Sequence, residues 1–558
     1  MENYPWFEQY PSFVRKEIDT AAYNSLMEII DESLSKYGDA PAFTCMDKSL
    51  SFRQVDALSK DFAAYLQSIG MKKGDRIAIQ MPNVLQYPIV LFGAIRAGLV
   101  VVNTNPLYTV REMTHQFNDA GADALVVLAN FASKAQEALP KTNIKHVIVT
   151  EIGDLFGGLK GFITNFVVKH VKKMVPAYDL PNATTLKKAL STGAKANYTK
   201  PSISADDIAL LQYTGGTTGV SKGATLLNKN IVANILQVSE WMGSELDEGK
   251  ETVITALPLY HIFALSVNCL TMLRKGAHNV LIVNPRDMQA FVKELNKYPF
   301  SVFTAVNTLF NGLMNTPEFQ QVNFDHLKVV VGGGMAVQTP VAEKWKKLTG
   351  RPIAEGYGLS ETAPVLTCNP IDGTEQLGTI GIPVPNTEVK ILDDDGNEVA
   401  QGEPGEICAK GPQVMQGYWN RDEETAKVFH GEWFRTGDIG IMEESGFFKI
   451  VDRKKDMILV SGFNVYPNEV EDVVAGHDKV LEVAAIGVPD PKSTEAVKIF
   501  VVKKDDSLTA DEVKAYCKQN LTGYKVPKHI EFRADLPKSN VGKILRRKLK
   551  DADVQANA

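Results

Sequence analysis

Short apolar runs alternate with stretches of helical periodicity between about residue 50 and residue 300. The runs are rich in Val, Ile and Leu, and Gly, Pro and Asn separate them from the helical stretches. Alternating strands and helices favour parallel sheets that carry helices on both faces. We therefore predict an α/β fold with doubly wound, mostly parallel sheets. The predicted buried strands lie at residues 76–81, 124–128, 146–150, 208–213, 252–257 and 280–283.

The pattern changes in the last third of the chain. Residues 375–452 contain short strands and tight turns, which predict a small β-rich subdomain, and residues 457–558 have a compact α+β pattern. Five consecutive charged residues, Asp452-Arg-Lys-Lys-Asp456, separate two apolar strands. We place a domain boundary there, with an N-terminal domain at 1–452, a hinge at 453–456 and a small C-terminal domain at 457–558.

Composition narrows the function classes. The 558 residues carry a net charge of −6, which argues against a nucleic-acid-binding protein. Five cysteines without a C-x-x-C pair fit a reducing compartment better than a disulfide framework or a zinc site. The N-terminus lacks the pattern of a signal peptide, and the chain lacks an uncharged apolar run of the roughly 18 residues a spanning helix needs. We expect a cytoplasmic protein. A monomer and a homodimer are both compatible with the sequence.

Residues 159–175 form a basic amphipathic segment in this acidic chain. Such a segment is typical of a helix that contacts a membrane surface, here the inner membrane surface. Many globular helices have the same pattern because their apolar side packs against the protein core, and this interpretation is favoured. The apolar stripe consists of Phe162, Ile163, Phe166, Val167, Val171 and Met174, and the basic side of Lys169, His170, Lys172 and Lys173.

A glycine-rich loop follows the predicted strand at 208–213. The segment Tyr213-Thr-Gly-Gly-Thr-Thr-Gly-Val-Ser-Lys-Gly223 combines four glycines, four hydroxyl side chains besides the tyrosine, and one lysine. Glycine lets backbone N–H groups approach a phosphate, and the lysine adds a positive charge. The Walker pattern requires glycine before lysine, whereas here the glycine follows it, so a P-loop NTPase is not indicated. Composition alone leaves a flexible surface loop as an equal alternative.

Four more segments contain the glycine, hydroxyl and charged residues that nucleotide chemistry uses. The carboxylate of Glu361, flanked by the hydroxyls of Ser360 and Thr362, offers the hard oxygen ligands that Mg²⁺ prefers. Taken singly, Asp438 in a turn and Lys543 in a basic tail are ordinary surface features. The segments are Gly356-Tyr-Gly-Leu-Ser-Glu-Thr-Ala-Pro364, Trp433-Phe-Arg-Thr-Gly-Asp-Ile-Gly440, Ser461-Gly-Phe-Asn-Val-Tyr-Pro-Asn-Glu469 and Pro537-Lys-Ser-Asn-Val-Gly-Lys-Ile544.

Together the five segments resemble the motifs of the acyl-adenylate-forming enzymes, which include acyl-CoA ligases, luciferases and adenylation domains of peptide synthetases. The resemblance covers essentially the whole chain. Residues 253–265, 411–419 and 455–469 are most similar to bacterial long-chain fatty-acid–CoA ligases. The resemblance implies ATP-dependent conversion of a fatty acid to an acyl-adenylate and pyrophosphate, then acyl transfer to CoA with release of AMP. It also implies ATP and Mg²⁺ as cofactors, CoA as co-substrate and a mobile C-terminal domain.

The resemblance implies a role for each motif residue. Tyr357 would lie against adenine opposite residues 332–336, Asp438 and Arg453 would contact the ribose, and Glu361 with Ser360 would bind the metal. The complete ATP or AMP site would consist of Tyr213, Thr214, Gly215, Gly216, Thr217, Thr218, Gly219, Ser221, Lys222, Gly223, Gly333, Gly334, Gly356, Tyr357, Gly358, Thr362, Asp438 and Arg453.

The C-terminal motifs would act in turn. Lys543 resembles the catalytic lysine, which reaches the carboxylate and the α-phosphate during adenylation and stabilises negative charge there. Lys455 would be the residue about which the C-terminal domain turns. After the turn, Gly462 and Phe463 would line the CoA channel, where the absence of a side chain lets the pantetheine arm pass.

His261 lies where the family has a His or an aromatic residue near the acyl carboxylate, although a structural histidine is an equal alternative. The tryptophan gate of some long-chain members is replaced by residues 264–266, Ala-Leu-Ser. The alternatives within the enzyme class are a ligase for an aromatic or medium-chain acid and an enzyme that stops at the adenylate. A peptide-synthetase module is less favoured because the chain ends soon after Lys543. A non-catalytic lipid or nucleotide sensor would not need Glu361, Asp438 and Lys543.

Overall fold

The protein is described by a computed structural model that covers residues 4–214, 221–243, 245–453 and 455–557. It has an α/β fold with a large N-terminal domain and a small C-terminal domain, which confirms the predicted fold class. All six predicted strands are present, with ends that differ from the prediction by at most three residues.

Two large sheets form the body of the N-terminal domain, and their central strands are parallel. From edge to edge, the first sheet contains Ile382–Pro383, Val365–Cys368, Ala354–Gly358, Val329–Gly333, Val302–Ala305, Thr252–Thr255, His278–Leu281, Pro41–Cys45 and Lys48–Ser51. The second contains Gly417–Tyr418, Lys222–Leu227, Ile208–Thr214, Val100–Asn103, Arg76–Gln80, Ala124–Leu128, His146–Thr150 and Thr184–Thr185.

The helices that connect these strands bury apolar surface against both sheets. Strand residues of the two sheets, such as Ile79 and Phe303, belong to one continuous apolar core. The helix Gln86–Arg96 is buried along its whole length, as expected for a helix that is apolar on every side. The remaining α-helices of this domain are Leu26–Tyr37, Phe52–Ser68, Val110–Ala120, Ala132–Ala138, Gly158–Phe166, Leu186–Gly193, Asn228–Trp241, Met272–Arg274, Met288–Leu295, Asn307–Met314, Thr339–Thr349 and Asp422–Lys427.

Short helical turns complete the connections. The π-helical turns are Val167–Val171 and Ala264–Thr271, and the second begins three residues after His261. The 3₁₀ turns are Pro5–Gln9, Ala129–Phe131, Leu139–Lys141, Ile152–Leu155, Pro317–Gln321, Ser360–Thr362 and Gly523–Lys525.

An antiparallel sheet follows inside the region predicted as β-rich. It contains Glu388–Leu392, Gly405–Lys410, Trp433–Met442 and Phe429–His430 in that order, and Phe448–Arg453 pairs with Trp433–Met442. Its last strand ends at Arg453, where the hinge is predicted, and Lys454 lies outside the described residues.

The C-terminal domain has its own sheet and its own apolar core. The sheet order is Phe463–Val465, Ile458–Val460, Thr494–Lys503 and Val480–Asp490, and His529–Arg533 pairs with Thr494–Lys503. Its helices are Pro467–Ala475, Ala510–Asn520 and Arg546–Asn557.

The favoured interpretation of residues 159–175 as a packed helix is wrong. The segment is helical over Gly158–Phe166 and continues as the turn Val167–Val171, but its apolar stripe faces outwards. Periodicity reveals that apolar and polar side chains are segregated, whereas the presence of a covering surface depends on the tertiary structure. Leu159, Phe162, Ile163, Phe166, Val171 and Met174 are each between 49% and 73% exposed. Among the described residues, we find no helix with the length and apolar character required to cross a bilayer.

Candidate active site

A cavity of about 2470 Å³ lies where the C-terminal domain meets the large sheets. The strands Ile208–Thr214, Val329–Gly333 and Ala354–Gly358 end at its wall, as expected for a ligand site at the carboxyl ends of parallel strands. Most of the predicted site residues line this cavity. They are Tyr213, Thr214, Lys222, His261, Gly333, Gly334, Gly356, Tyr357, Gly358, Ser360, Glu361, Asp438, Arg453, Lys455 and Lys543.

The two strands that flank the glycine-rich segment, Ile208–Thr214 and Lys222–Leu227, form an antiparallel β-hairpin. Thr214 on its first strand pairs with Lys222 on its second. The ammonium of Lys222 lies 2.6 Å from Glu424 and 4.7 Å from the centre of the Tyr418 ring. The pairing with Lys222 and Lys427 lowers the pKa of Glu424 to about 2. The predicted residues Gly215, Gly216, Thr217, Thr218 and Gly219 lie outside the described residues.

Side chains of the helix Val110–Ala120 support the base of this hairpin. The Tyr213 hydroxyl donates to Asp119 at 2.7 Å, and a ring nitrogen of His115 lies 3.0 Å from the Ser221 carbonyl oxygen. A Cβ on Gly223 would lie 3.1 Å from the Tyr213 ring, so this glycine permits close packing. Ser221 and Gly223 do not line the cavity in this arrangement.

Glycines shape the wall next to Tyr357. Gly333 and Gly356 are directly opposite each other on adjacent strands. A Cβ at Gly358 would lie only 1.8 Å from the Pro364 carbonyl oxygen, so no other residue fits there without a backbone shift. Gly334 has a φ of +77°, which L-residues rarely adopt. The result is a wall of exposed backbone against which a flat ring can lie.

Asp438 forms a small network with the residues predicted to bind the nucleoside. The Tyr357 hydroxyl donates to Asp438 at 2.7 Å, and the Arg453 guanidinium lies 3.5 Å from its other oxygen. Burial raises the pKa of Asp438, while Arg453 and the Tyr357 hydroxyl act in the opposite direction. The strand pairing of Asp438 with Arg453 fixes this geometry.

Glu361 is a buried carboxylate in the wall of the cavity. One oxygen accepts a hydrogen bond of 2.8 Å from the Tyr418 hydroxyl. Burial raises the pKa of Glu361, and the Tyr418 hydroxyl and the charge of Lys222 oppose this shift. Among the described residues, no group of three or more His, Cys, Asp or Glu side chains could hold a metal unaided. One carboxylate beside a hydroxyl suits Mg²⁺, which usually completes its octahedron with substrate phosphates and waters.

Lys543 reaches the cavity from the C-terminal domain. Its Cε lies 3.7 Å from the position of a Cβ built on Gly334. Burial and the charge of Arg453 lower the pKa of Lys543 to about 8, and the carboxylates of Asp438 and Glu361 limit the shift. The ammonium is therefore still mostly charged at neutral pH. The structure thus brings residues 543, 361 and 438 to one cavity.

His261 lines the cavity, and its imidazole is neutral. Burial and the charge of Lys543 lower its pKa to about 3. Its Nδ1 accepts a hydrogen bond of 3.4 Å from the Phe263 backbone N–H, which leaves the proton on Nε2. A neutral imidazole with a free Nε2–H can donate a hydrogen bond to a carboxylate or acyl oxygen.

Besides Ser221 and Gly223, three more of the predicted residues do not line the cavity. The Thr362 hydroxyl is buried and bonds to the Leu359 and Pro364 carbonyl oxygens of its own turn. Gly462 has a φ of +86° with open space around it. Phe463 is 56% exposed and stacks on Tyr524 at 4.8 Å between ring centroids.

Several residues that hold the site together were not predicted from the sequence. Tyr418 belongs to the segment 411–419, which resembles the family but carries no sign of a role in the site. Asp472 and Arg546 connect the two domains through hydrogen bonds of 2.8 Å and 3.1 Å to Thr339 and Asp452. Nothing in their local sequence distinguishes these two residues from surface charges, because their partners are distant in the chain.

Comparison with known proteins identifies the family. Residues 30–419 match the family of AMP-binding enzymes, and residues 469–543 match the C-terminal domain of AMP-binding enzymes. The chain is 56% identical over 547 residues to a long-chain-fatty-acid–CoA ligase of Escherichia coli. The matched region covers 98% of this chain and 98% of the relative. The chain is 54% identical to the ligase of the same name in Yersinia pestis, with 99% of this chain and 98% of the relative covered.

Solved structures agree with this assignment. A benzoate–CoA ligase from Burkholderia xenovorans matches with a TM-score of 0.81 and 25% identity over 94% of this chain and 99% of its own. ATP-bound MatB from Rhodopseudomonas palustris matches with a TM-score of 0.78 and 26% identity over 95% and 99%. With these folds and the two nearly full-length relatives, the chain belongs to the long-chain-fatty-acid–CoA ligases of the AMP-binding enzyme family.

Proposed function

We propose that this protein activates a long-chain fatty acid with ATP to an acyl-adenylate and then transfers the acyl group to CoA. The observation that carries the proposal is the enclosure of Lys543, Glu361 and Asp438 in one cavity that also has an apolar wall. The products are pyrophosphate from the first half-reaction and AMP with acyl-CoA from the second. A carboxylate is a poor acyl donor, and the adenylate supplies the leaving group that it lacks.

The residues of the cavity divide the adenylation step among them. Lys543 carries its charge to the place where the fatty-acid carboxylate attacks the α-phosphate, and this charge stabilises the transition state. The Nε2–H of His261 donates to the acyl oxygen and holds the carboxylate in line. Asp438 and Arg453 hold the ribose, and Tyr357 with the glycine wall holds the adenine.

Glu361 and Ser360 would hold Mg²⁺ together with the triphosphate. Bound there, the metal supplies charge neutralisation for the phosphate oxygens. The ammonium of Lys222 would be a second positive charge for the triphosphate, besides the metal. Its present partner, the Glu424 carboxylate, is an acceptor that phosphate oxygens can replace. The exchange would move Lys222 by a rotation of its flexible side chain.

The apolar wall supports a long-chain substrate. Val238, Met242, Val267 and Val331 line the cavity and belong to one apolar cluster. Trp241, on the same helix as Val238, also lines the cavity. Its indole N–H donates to the Asn369 carbonyl oxygen at 3.0 Å, and this bond fixes the ring. Burying an alkyl chain against such a surface contributes about 0.8 kcal/mol per CH₂, so longer acids gain affinity.

The second half-reaction needs a different face of the C-terminal domain. Rotation about Lys455 would remove Lys543 and bring Gly462 and Phe463 to the cavity as the CoA channel. Gly462 and Phe463 are exposed in the present arrangement. Such exposure is expected if they contact CoA only after the C-terminal domain has rotated.

The substrate assignment is tested by CoA-dependent AMP formation with acids from acetate to oleate and with cinnamate. We expect the rate at low substrate concentration to rise towards long chains, with no turnover of cinnamate. Activity confined to short or aromatic acids would refute the long-chain assignment but keep the adenylation mechanism. Pyrophosphate release without CoA-dependent AMP formation would refute the second half-reaction.

We also propose that residues 159–175 bind the surface of an anionic membrane. Six large apolar side chains in this segment are each at least 49% exposed, and Lys169, Lys172 and Lys173 beside them are exposed as well. An apolar stripe flanked by lysines matches the chemistry of a headgroup layer with acyl chains beneath it. The substrate itself partitions into such a layer, so the contact would place the enzyme at its source.

Sedimentation with vesicles of phosphatidylcholine and phosphatidylglycerol tests this contact. Lys169→Glu, Lys172→Glu and Lys173→Glu combined should release the protein from these vesicles. The matched control changes three exposed lysines elsewhere, Lys250, Lys293 and Lys347, to Glu and should leave sedimentation as in the wild type. Unchanged sedimentation of the first triple variant would contradict the proposal.

A further inference from the structure

The helix Thr339–Thr349 obtains its N-terminal cap from the other domain. Its N-cap residue, Gln338, makes no side-chain capping bond, and Pro340 has no N–H to offer. The Thr339 N–H instead donates to the Asp472 carboxylate at 2.8 Å. Asp472 belongs to the helix Pro467–Ala475 of the C-terminal domain, 133 residues further along the chain.

A carboxylate at this position interacts favourably with the helix. The first N–H groups of a helix lack partners within the helix, and the helix dipole makes that end partly positive. Capping residues normally lie next to the helix in sequence. Here the favourable interaction exists only while the two domains keep their present arrangement.

The capped helix starts where the cavity wall ends. Val337 and Gln338 line the cavity, and their N–H groups donate to Glu355 and Asn307 respectively. Glu355 also faces Asp472, and burial raises the pKa of Glu355 to about 8, so it carries little charge at neutral pH that could repel Asp472. Asp472 therefore attaches the C-terminal domain directly to the wall of the cavity.

The helix that carries Asp472 also holds the segment that carries Lys543. Its residues Asn468 and Glu471 both accept hydrogen bonds from the Arg546 guanidinium, at 2.7 Å for Glu471. Arg546 lies three residues after Lys543 and also pairs with Asp452, the buried residue before the hinge, at 3.1 Å. A displacement of this helix would therefore displace Lys543.

We propose that Asp472 is a positioning residue for the adenylation half-reaction, because it caps the helix Thr339–Thr349 only when Lys543 occupies the cavity. The inference rests on the proposed two-step function. Two other contacts of the same interface, from Thr308 to the Gly542 carbonyl and from Asn311 to the Leu481 carbonyl, are uncharged. Asp472 thus supplies a charged contact beside these neutral ones.

The test measures the two half-reactions of Asp472→Ala separately. Adenylation is measured as the oleate-dependent exchange of pyrophosphate into ATP. Its kcat should fall about fivefold, a factor typical of losing one capping residue. Transfer of the acyl group from added oleoyl-adenylate to CoA should stay unchanged or become faster, since the domain leaves its adenylation position more easily. Asp478→Ala changes an exposed carboxylate just after the same helix and should alter neither rate.

The outcomes separate this inference from the function on which it rests. Equal losses in both half-reactions would show a merely structural role and overturn the inference, as would unchanged adenylation. Asp472→Asn, which keeps the shape and an acceptor oxygen, should have an intermediate adenylation rate. Should the wild type itself form no oleoyl-adenylate, the proposed function would fail, and the comparison of variants would not arise.

Discussion

Two segments of the C-terminal domain have opposite environments although both contain family motifs. Residues 537–546 carry Lys543 into the cavity, where it is half-buried and interacts with the charges of Asp438 and Glu361. Residues 461–463 form an exposed turn with open space around Gly462. One small domain therefore presents one motif to the cavity and the other to solvent.

With the roles proposed for these two motifs, a single arrangement of the domains would serve only one half-reaction. In the proposed function, the segment in the cavity would supply the charge for adenylation, and the exposed turn would admit the thin pantetheine arm. The contacts that hold the present arrangement include the polar pairs Asp472–Thr339, Arg546–Asp452, Thr308–Gly542 and Asn311–Leu481. Polar interfaces of this kind are compatible with domain motion.

Removing the charge of Lys543 should have the largest effect. We expect Lys543→Ala to slow formation of oleoyl-adenylate by about 100-fold or more, because the negative charge of the transition state loses its fixed partner. Acyl transfer from added oleoyl-adenylate to CoA should keep most of its rate. Rapid-quench measurements give the rate of each half-reaction. The control is Lys518→Ala, which changes an exposed lysine of the same domain. Comparable losses in the two half-reactions would contradict the role of Lys543.

Filling the exposed turn should have the reverse effect. Gly462→Leu is expected to slow CoA transfer by about 30-fold, the factor that about 2 kcal/mol of lost transition-state binding produces, while adenylation is retained. The control is Gly402→Leu, since Gly402 has the same φ of +86° and the same open surroundings in another domain. A Gly462→Leu enzyme with normal CoA transfer would remove this turn from the channel.

The pH dependence should be the smallest of these effects. The pKa of Lys543 is about 8 in the free enzyme, so its charged form is present below pH 8 and is lost above it. The kcat/KM of adenylation for ATP should therefore fall about tenfold between pH 7 and pH 9. Lys543→Arg, which stays charged, should flatten this fall. His261 should contribute no acidic limb near pH 6 to 7, because its pKa is about 3.

Much of the fold was predictable because the signals are local. The strand at 124–128 is a continuous apolar run, the strand at 146–150 has an apolar centre, and the structure has strands with the same bounds. Glu361, Asp438 and Lys543 were found through glycine-rich and hydroxyl-rich motifs that resemble a known family. Their convergence on one cavity could not be calculated from spacing, since it depends on how three sheets and a separate domain pack.

The remaining features depend on long-range contacts that leave no local trace. The sequences around Asp472 and Arg546 look like those around ordinary charged surface residues, yet these two residues join the two domains. The stripe with Phe162 and Phe166 has the periodicity of a packed helix, but no surface of the described protein covers it. Sequence patterns identify which side chains are segregated, and only the structure shows what each side contacts.

The central claim is that one site makes an acyl-adenylate and then passes the acyl group to CoA. The most direct measurement is a single turnover with labelled oleate, first with ATP and Mg²⁺ alone and then with CoA added. We predict that enzyme-bound oleoyl-adenylate accumulates in the first stage in an amount equal to the pyrophosphate released. On addition of CoA it should convert completely to oleoyl-CoA and AMP. Formation of oleoyl-CoA without any adenylate in the first stage, or an adenylate that CoA does not consume, would contradict the account.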